Sequence, residues 1–307
     1  MANLIGFFPV TSCMNIQLIA HEDIDKVKWN SCIHFANNGN VFGYKWFLDF
    51  VAKDWDALVE GDYESVFPLV WRKSFWGGKE LHQPPLMREL GLYSIHALSP
   101  KRVENFLNAI PKEYKSVEIA VNEQINLPQK HDYKVIELYN HQILLTETYE
   151  TLREHYTASL SEKLKQATDN QLIVTSNLKP ERVAAFYQKH TKDRRHLTHN
   201  FHALQRIMYN ALHRGWGFAS GIENQQGELL AANFFIYSHS KALSLAPLES
   251  PAGAKAGALP YLFDVFLRTH AGRPMILDFN TEKKDDLALM LGARENIYYK
   301  IQRSKRK

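Results

Sequence analysis

The sequence predicts a mixed α/β protein made of two units in tandem, and three observations carry that reading. Residues 215–279 run as two strands joined by a polar turn, a third strand, a segment of small residues, a helix and a short apolar strand. The first 142 residues have a strand and helix alternation of their own. The 307 residues, 45% hydrophobic and 23% charged, suit one large or two ordinary soluble domains.

In the first unit, HEDIDKVKWNSCIHFA opens as a helix with Asp23 and Asp25 near its start, and YKWFLDFVAKD repeats the pattern. WDALVEGDY and SVFPLVWRKSF read as paired strands about a Gly61-Asp62 turn, with LHQPPLMRELGLYS following. A helix over about 100–109 and a strand at KSVEIAVNE complete the unit. The strand YKVIELYNHQILLT then passes toward the second unit, TETYETLREHY begins a helix, and the boundary is expected at 138–150.

In the second unit, Lys179-Pro180-Glu181 opens the helix ERVAAFYQKHTK, and FHALQRIMYNALHRG is a second amphipathic helix. GWGFASGIE and ELLAANFFIYS form a hairpin about NQQG, where Gly227 can take the positive φ of a tight reversal. KALSLAPLE is the third strand, and SPAGAKAGALP is expected to be a flexible loop. YLFDVFLRTHAG has the apolar spacing of a helix stopped by Gly272, and PMILDF is a buried strand.

This order of elements, the basic segment SLSEKLKQA, the hairpin GWGFASGIENQQGELLAANFF and the closing LDF with LGARENIYYKI resemble the GNAT (N-acetyltransferase) superfamily. Within it they resemble the FemAB-like branch, some of whose members move amino acids from aminoacyl-tRNA onto peptidoglycan precursors. The likeness is clearest from about Arg153 onward. It implies two tandem GNAT-like domains, each a mixed, mostly antiparallel sheet flanked by helices. Residues 1–14 would be an N-terminal extension, 15–142 a degenerate first domain, 143–302 the second domain and 303–307 a basic tail.

The implied function is transfer of an acyl or aminoacyl group to a small-molecule or peptide amine, with acyl-CoA or aminoacyl-tRNA as donor. One rival is a binding or scaffolding protein that keeps the fold without catalysis, and another is an acyl-CoA-dependent N-acetyltransferase. Superfamily members that use acetyl-CoA carry a Q/R-x-x-G-x-G/A turn whose amides wrap a pyrophosphate at a helix N-terminus. Here Gly253, Lys255 and Gly257 hold that place, without the leading basic residue or Gln and with different spacing. The branch's DFxGS segment is DFNTEKKDD here, with Asn280 and Thr281 replacing small residues.

GNAT-like units splay a central strand from its neighbour to expose amides, and ELLAANFFIYS is expected to be that strand. Its Asn233 either satisfies a bulge or meets the substrate. Asp278, ending a buried strand, is placed to position an amine or to act as a cap or ion-pair partner, with Tyr298 or Tyr299 beyond it. Of those tyrosines one should face the core and the other the opposite face. Lys163, Lys165, Arg72 and Lys73 are the candidate cations for an anionic substrate group.

Other classes of function find little support. The net charge is +4, and Arg303, Lys305, Arg306 and Lys307 alone supply that excess, so no general DNA-binding field is expected, although a local tRNA contact remains open. His199 and His202 are three apart in a basic, histidine-rich segment, but without a carboxylate or cysteine beside them no metal is expected. Two cysteines, Cys13 and Cys32, make no disulfide framework and fit a reducing cytoplasm. No apolar run approaches a membrane span, and G-x-S-x-G, H-E-x-x-H and P-loop motifs are absent.

Overall fold

The structure is a computed structural model describing residues 15–74, 77–191 and 197–304, with 197–199 described by backbone alone. Cys13, Trp76, the cations at 192, 194 and 195, the His199 side chain and the last three residues lie outside it.

The first half runs β1 (Ile16–Ile19), α1 (Lys26–Phe35), α2 (Lys45–Val51), β2 (Asp54–Glu60), β3 (Ser65–Lys73), β4 (Lys79–His82), β5 (Tyr93–Ser94), α3 (Pro100–Ala109), β6 (Tyr114–Ala120) and β7 (Lys134–Leu144). Helices α4 (Tyr149–Glu154) and α5 (Ala158–Asp169) lead into the second half. There the order is β8 (Ile173–Ser176), α6 (Pro180–His190), α7 (Leu197–His213), β9 (Gly217–Glu223), β10 (Leu229–Ser238), β11 (Lys241–Ser244) and β12 (Leu248–Glu249). The chain closes with α8 (Pro251–Ala256), α9 (Ala258–His270), β13 (Ile276–Asp278), α10 (Asp286–Met290) and β14 (Arg294–Arg303).

The two halves repeat one connectivity, which bears out the mixed tandem architecture. Four strands pair antiparallel in each, β1 to β4 and β8 to β11. A short strand then returns to the third of them, β5 to β3 and β12 to β10. After the following helix, β6 lies parallel to β4 and β13 lies parallel to β11. The last strands are exchanged: β7 pairs with β13 of the second half, and β14 pairs with β6 of the first. Because β7 and β14 also pair with each other from Gln142↔Arg294 to Lys134↔Gln302, one sheet runs through the molecule. A cut between 142 and 143 therefore falls inside β7.

β10 divides the apolar interior, as period-2 alternation requires. Ala232, Phe234 and Ile236 face a core shared with α7 and the first half, while Ala231 and Phe235 face the second core of α5, α9 and β13. Aromatic contacts close the gap between the halves, with Trp216 beside Tyr44 and Trp46. The β10–β11 turn adds a polar tie. His239 and Ser240 take φ of 49° and 56°, as a two-residue hairpin demands, and His239 Nε2–H donates to the Ile33 carbonyl of α1 at 3.0 Å.

Two segments depart from the sequence expectation. The SPAGAKAGALP segment is α8 and the start of α9 rather than a flexible loop, because Ser250 Oγ accepts the Gly253 amide as an N-cap and Pro251 suits the first helical turn. β10 does not splay; it is paired along both edges. The divergence lies one strand further on: β11 follows β13 only over 241–243, after which the chain keeps to β10.

Burial holds His82, His141, His239 and His270 below the ordinary imidazole value. Such groups leave the unfolded chain binding more protons than the folded one below about pH 6.5, so their contribution is intact above that range and lost as pH falls through it. Urea midpoints measured from pH 8 to pH 5 should decline below neutrality, and His239→Gln should make that decline shallower. A flat profile in the parent protein would contradict the burial of these rings.

Candidate functional site at the junction of the halves

The β7–β14 register sets Asn140 and Gln142 on the same sheet face as Asn296 and Tyr298, and the β7–β13 register adds Asp278 to it. Over this face lies the irregular segment 83–92 between β4 and β5. Pro84 and Pro85 deny it regular structure, and Leu86 takes φ of 61°, a conformation costly for a residue with a side chain. The segment delivers Arg88 into the interior, where its side chain is 2% exposed and its guanidinium lies 5.1 Å from the Tyr298 ring centre.

Asp278, 1% exposed, has both carboxylate oxygens engaged. Oδ1 accepts from the Asn280 amide at 2.9 Å and from Asn140 Nδ2 at 3.1 Å. Oδ2 accepts from Gln142 Nε2 at 2.9 Å and from Arg88 at 3.3 Å, with Lys241 Nζ at 3.6 Å. Burial alone would push this carboxyl up, but Arg88, Lys241 and the donors from Asn280 and Asn140 outweigh it and hold it below the usual range.

Glu123 and Glu89 complete the cluster. Glu123 accepts from Arg88 at 2.7 Å, from Gln142 at 3.0 Å and from Asn140, and Lys241 stands 3.6 Å away. Glu89 accepts from Asn40 at 2.6 Å and from the Glu123 amide at 3.0 Å, with Arg88 at 3.5 Å. Burial pushes its carboxyl up despite Arg88, and the Glu123 charge adds to the rise. Three carboxyl groups thus share two cations, Arg88 and Lys241. It reaches the surface through Glu123, Gln142 and Lys241, which are partly exposed.

The residues singled out in the sequence fall in several places. Asp278 and Tyr298 meet at the junction, where Tyr298 is buried and its hydroxyl donates to the Thr281 carbonyl at 3.2 Å, while Tyr299 packs against the first core on the opposite face. Asn280 takes φ of 59°, and the Thr281 amide donates to Asn140 at 3.0 Å, so DFNT is tied to β7. Asn233 is elsewhere. Its Nδ2 donates to Ser244 Oγ at 2.9 Å and its Oδ1 accepts the Ala246 amide at 3.2 Å, closing the break between β11 and β12. Arg72 pairs with Glu80 at 3.5 Å beside a cavity of about 430 Å³ that also meets His82, Glu118 and Lys300.

Lys163 borders a different cavity of about 630 Å³, together with Thr157, Glu249, Pro260, Asp286 and Met290. Lys165 is exposed two residues along α5 and does not border it. Gly253 and Gly257 seal this region by close packing. A Cβ at Gly253 would strike the Leu230 carbonyl, and one at Gly257, where φ is 73°, would strike the Lys163 carbonyl. The Gly253 amide already serves the Ser250 cap, the Leu259 amide donates to Glu249 Oε2 at 3.3 Å, and Pro260 has no N–H. Lys255 is exposed on α8.

Arg88, Glu89, Glu123, Lys241 and Glu249 were not legible as site residues from sequence. The one available signal was an Arg-Glu pair set among apolar residues after Pro84-Pro85.

No family model matches the chain, and no curated protein matches its sequence. Solved structures do match in fold. FemX is 11% identical, with a TM-score of 0.58 over 92% of this chain and 96% of its own. L-PGS from Bacillus licheniformis is 12% identical, with a TM-score of 0.56 over 92% and 93%. The C-terminal domain of a putative lysylphosphatidylglycerol synthetase from Agrobacterium fabrum is 10% identical, with a TM-score of 0.51 over 90% of each chain. The fold is therefore GNAT-like and of the FemAB type. Both halves take part in the likeness, since it runs over nearly the whole chain. No helix among the described residues is long and apolar enough to cross a membrane.

Asp278→Asn removes a charge that neutralises the buried Arg88 and should cost about 3 kcal/mol of stability, read from the urea midpoint at pH 7. A change below about 0.5 kcal/mol would mean that the pair is not enclosed.

Proposed function

We propose that the protein transfers an acyl or aminoacyl group from an ester or thioester donor to a small-molecule or peptide amine, with the Asp278 junction as the place where the amine is received. The observation that carries this reading is the partly exposed Glu123 carboxylate, held by Arg88 beside Asp278 within a FemAB-type fold. An amine reaching Glu123 as an ammonium would pair with that carboxylate. A fold neighbour described as a putative lysylphosphatidylglycerol synthetase adds support for an aminoacyl donor.

In the reaction the amine nitrogen bonds to the donor carbonyl carbon, the carbon–oxygen or carbon–sulfur bond breaks, and the leaving oxygen or sulfur ends with a proton. The ammonium must first give up a proton, and Glu123 is the carboxylate placed to take it. Its Oε2 accepts one hydrogen bond, from Gln142, and retains capacity for another. Asp278, with its oxygens committed, holds Arg88, Gln142 and the 278–281 segment in position.

The test incubates the protein with aminoacylated tRNA, or separately with acetyl-CoA, and a panel of primary amines, and follows the amide product by mass spectrometry. Glu123→Gln also takes a carboxylate from Arg88, so it is assayed well below its own unfolding midpoint, where it should lower kcat/KM for the amine at least tenfold. Undiminished turnover in that variant removes Glu123 from the reaction. If no donor yields product and none protects the protein against thermal unfolding, the non-catalytic reading stands instead.

A further inference from the structure

The internal repeat gives the Asp278 junction an image in the first half. In each half the strand after the helix sets a carboxylate opposite a glutamine of the exchanged strand, Asp278 opposite Gln142 and Glu118 opposite Gln302. The residue two places before each glutamine donates to that carboxylate, Asn140 to Asp278 at 3.1 Å and Lys300 to Glu118 at 2.8 Å. Gln142 donates to Asp278 at 2.9 Å, and Lys300 chiefly, with Gln302 and Arg72, holds the Glu118 carboxyl below its ordinary value. Alternate residues of β14 share a face, so Lys300 and Gln302 lie on the side that carries Asn296 and Tyr298. Junction and image therefore stand on one face of the sheet, with Tyr298 between them.

Their cover differs. Residues 83–92 fill the junction with Arg88, whereas the image opens into the cavity of about 430 Å³ beside β4, β6 and β14. Gln83 borders this cavity and is tied at both ends of its amide, Oε1 accepting from the Ala120 amide at 3.0 Å and Nε2 donating to the Met87 carbonyl at 2.8 Å. Of the cations lining it, Arg72 is paired with Glu80 and Lys300 with Glu118. Arg303 instead lies over the Tyr133 ring, 5.1 Å from its centre, a contact that does not neutralise its charge. His82 Nδ1–H donates to the Gln83 carbonyl at 3.2 Å, which leaves Nε2 an acceptor in the neutral ring that burial favours.

We infer that this cavity is a second ligand site, separate from the place where the amine is received, and that it takes a small hydroxylated carboxylate, the carboxylate on Arg303 and a hydroxyl on His82 Nε2. Glu80 and Glu118 in the lining repel a second negative charge, which disfavours phosphate and polyanions. The volume suits a molecule the size of a sugar acid. The inference does not rest on the acyl-transfer reading.

The experiment titrates the full chain with D-gluconate and follows side-chain amide signals by NMR, with D-glucose and inorganic phosphate as comparisons. Gluconate should bind in the millimolar range or below, moving the Gln83 and Gln302 amides and leaving those of Asn140 and Gln142 in place. Glucose and phosphate should bind at least tenfold more weakly, and Arg303→Gln should weaken gluconate by a similar factor. Absence of shifts with gluconate, shifts confined to Asn140 and Gln142, equal binding of glucose or phosphate, or undiminished binding by folded Arg303→Gln each overturn the inference. The comparison of gluconate with glucose uses the parent protein alone, so it decides the matter even if the variant does not fold. No acyl transfer is measured, and the outcome leaves that reading to its own test.

Discussion

Everything in this molecule depends on the antiparallel pairing of β7 with β14. Each strand ends one half of the chain and completes the sheet of the other half, so neither half has a closed set of strands alone. Backbone hydrogen bonds of the exchanged strands would otherwise be left at a bare sheet edge, which proteins avoid exposing. The pairing also fixes the junction. A shift of one residue in register would turn Asn140, Gln142, Asn296 and Tyr298 to the opposite face and dissolve the cluster around Asp278.

On that face the chain accepts a cost that the fold alone does not demand. Arg88 is fully buried, its Nε finds no partner among the described residues, and Leu86 beside it is in a left-handed conformation. A buried ion pair of this kind is often no more stabilising than well-packed apolar residues, yet breaking it leaves an uncompensated charge worth about 3–5 kcal/mol. Stability is thus a weak reason for such an arrangement. Positioning is a stronger one, because Arg88 joins the first half to Asp278 of the second and to the rim carboxylate Glu123.

Much of this was legible in the sequence, and the reasons for the exceptions are physical. The hairpin of β9 and β10, the helix α9 and the buried strand ending at Asp278 all rest on local periodicity and turn residues, which act over a few positions. The exchange of β7 and β14 rests on pairing between residues more than 150 positions apart, such as Asn140 with Asn296, and leaves no local trace. Asn233 was open to a backbone or a substrate role; its partners are Ser244 and the Ala246 amide, supplied by a break in the next strand that apolar alternation conceals. SPAGAKAGALP suggested flexibility through its glycines, although Ser250 followed by Pro251 is a helix start and the glycines answer to close packing. Asp278 stood out as a strand-end carboxylate, whereas its chief partner Arg88 is 190 positions away.

The repeat shows how one connectivity can be given two tasks. Between the fourth strand and the short returning strand, the first half inserts ten residues, 83–92, and the second half only three, 245–247. The longer insertion carries Arg88 and Glu89 across the sheet face and fills the junction with charge. The shorter one keeps β12 tight against β10, which sets Glu249 directly before α8 and aims its carboxylate at the start of α9. A short insertion in the first half would have left Asp278 without its guanidinium. The same pair of loop lengths therefore places Arg88 against Asp278 at the junction and the Glu249 carboxylate on the Leu259 amide of α9.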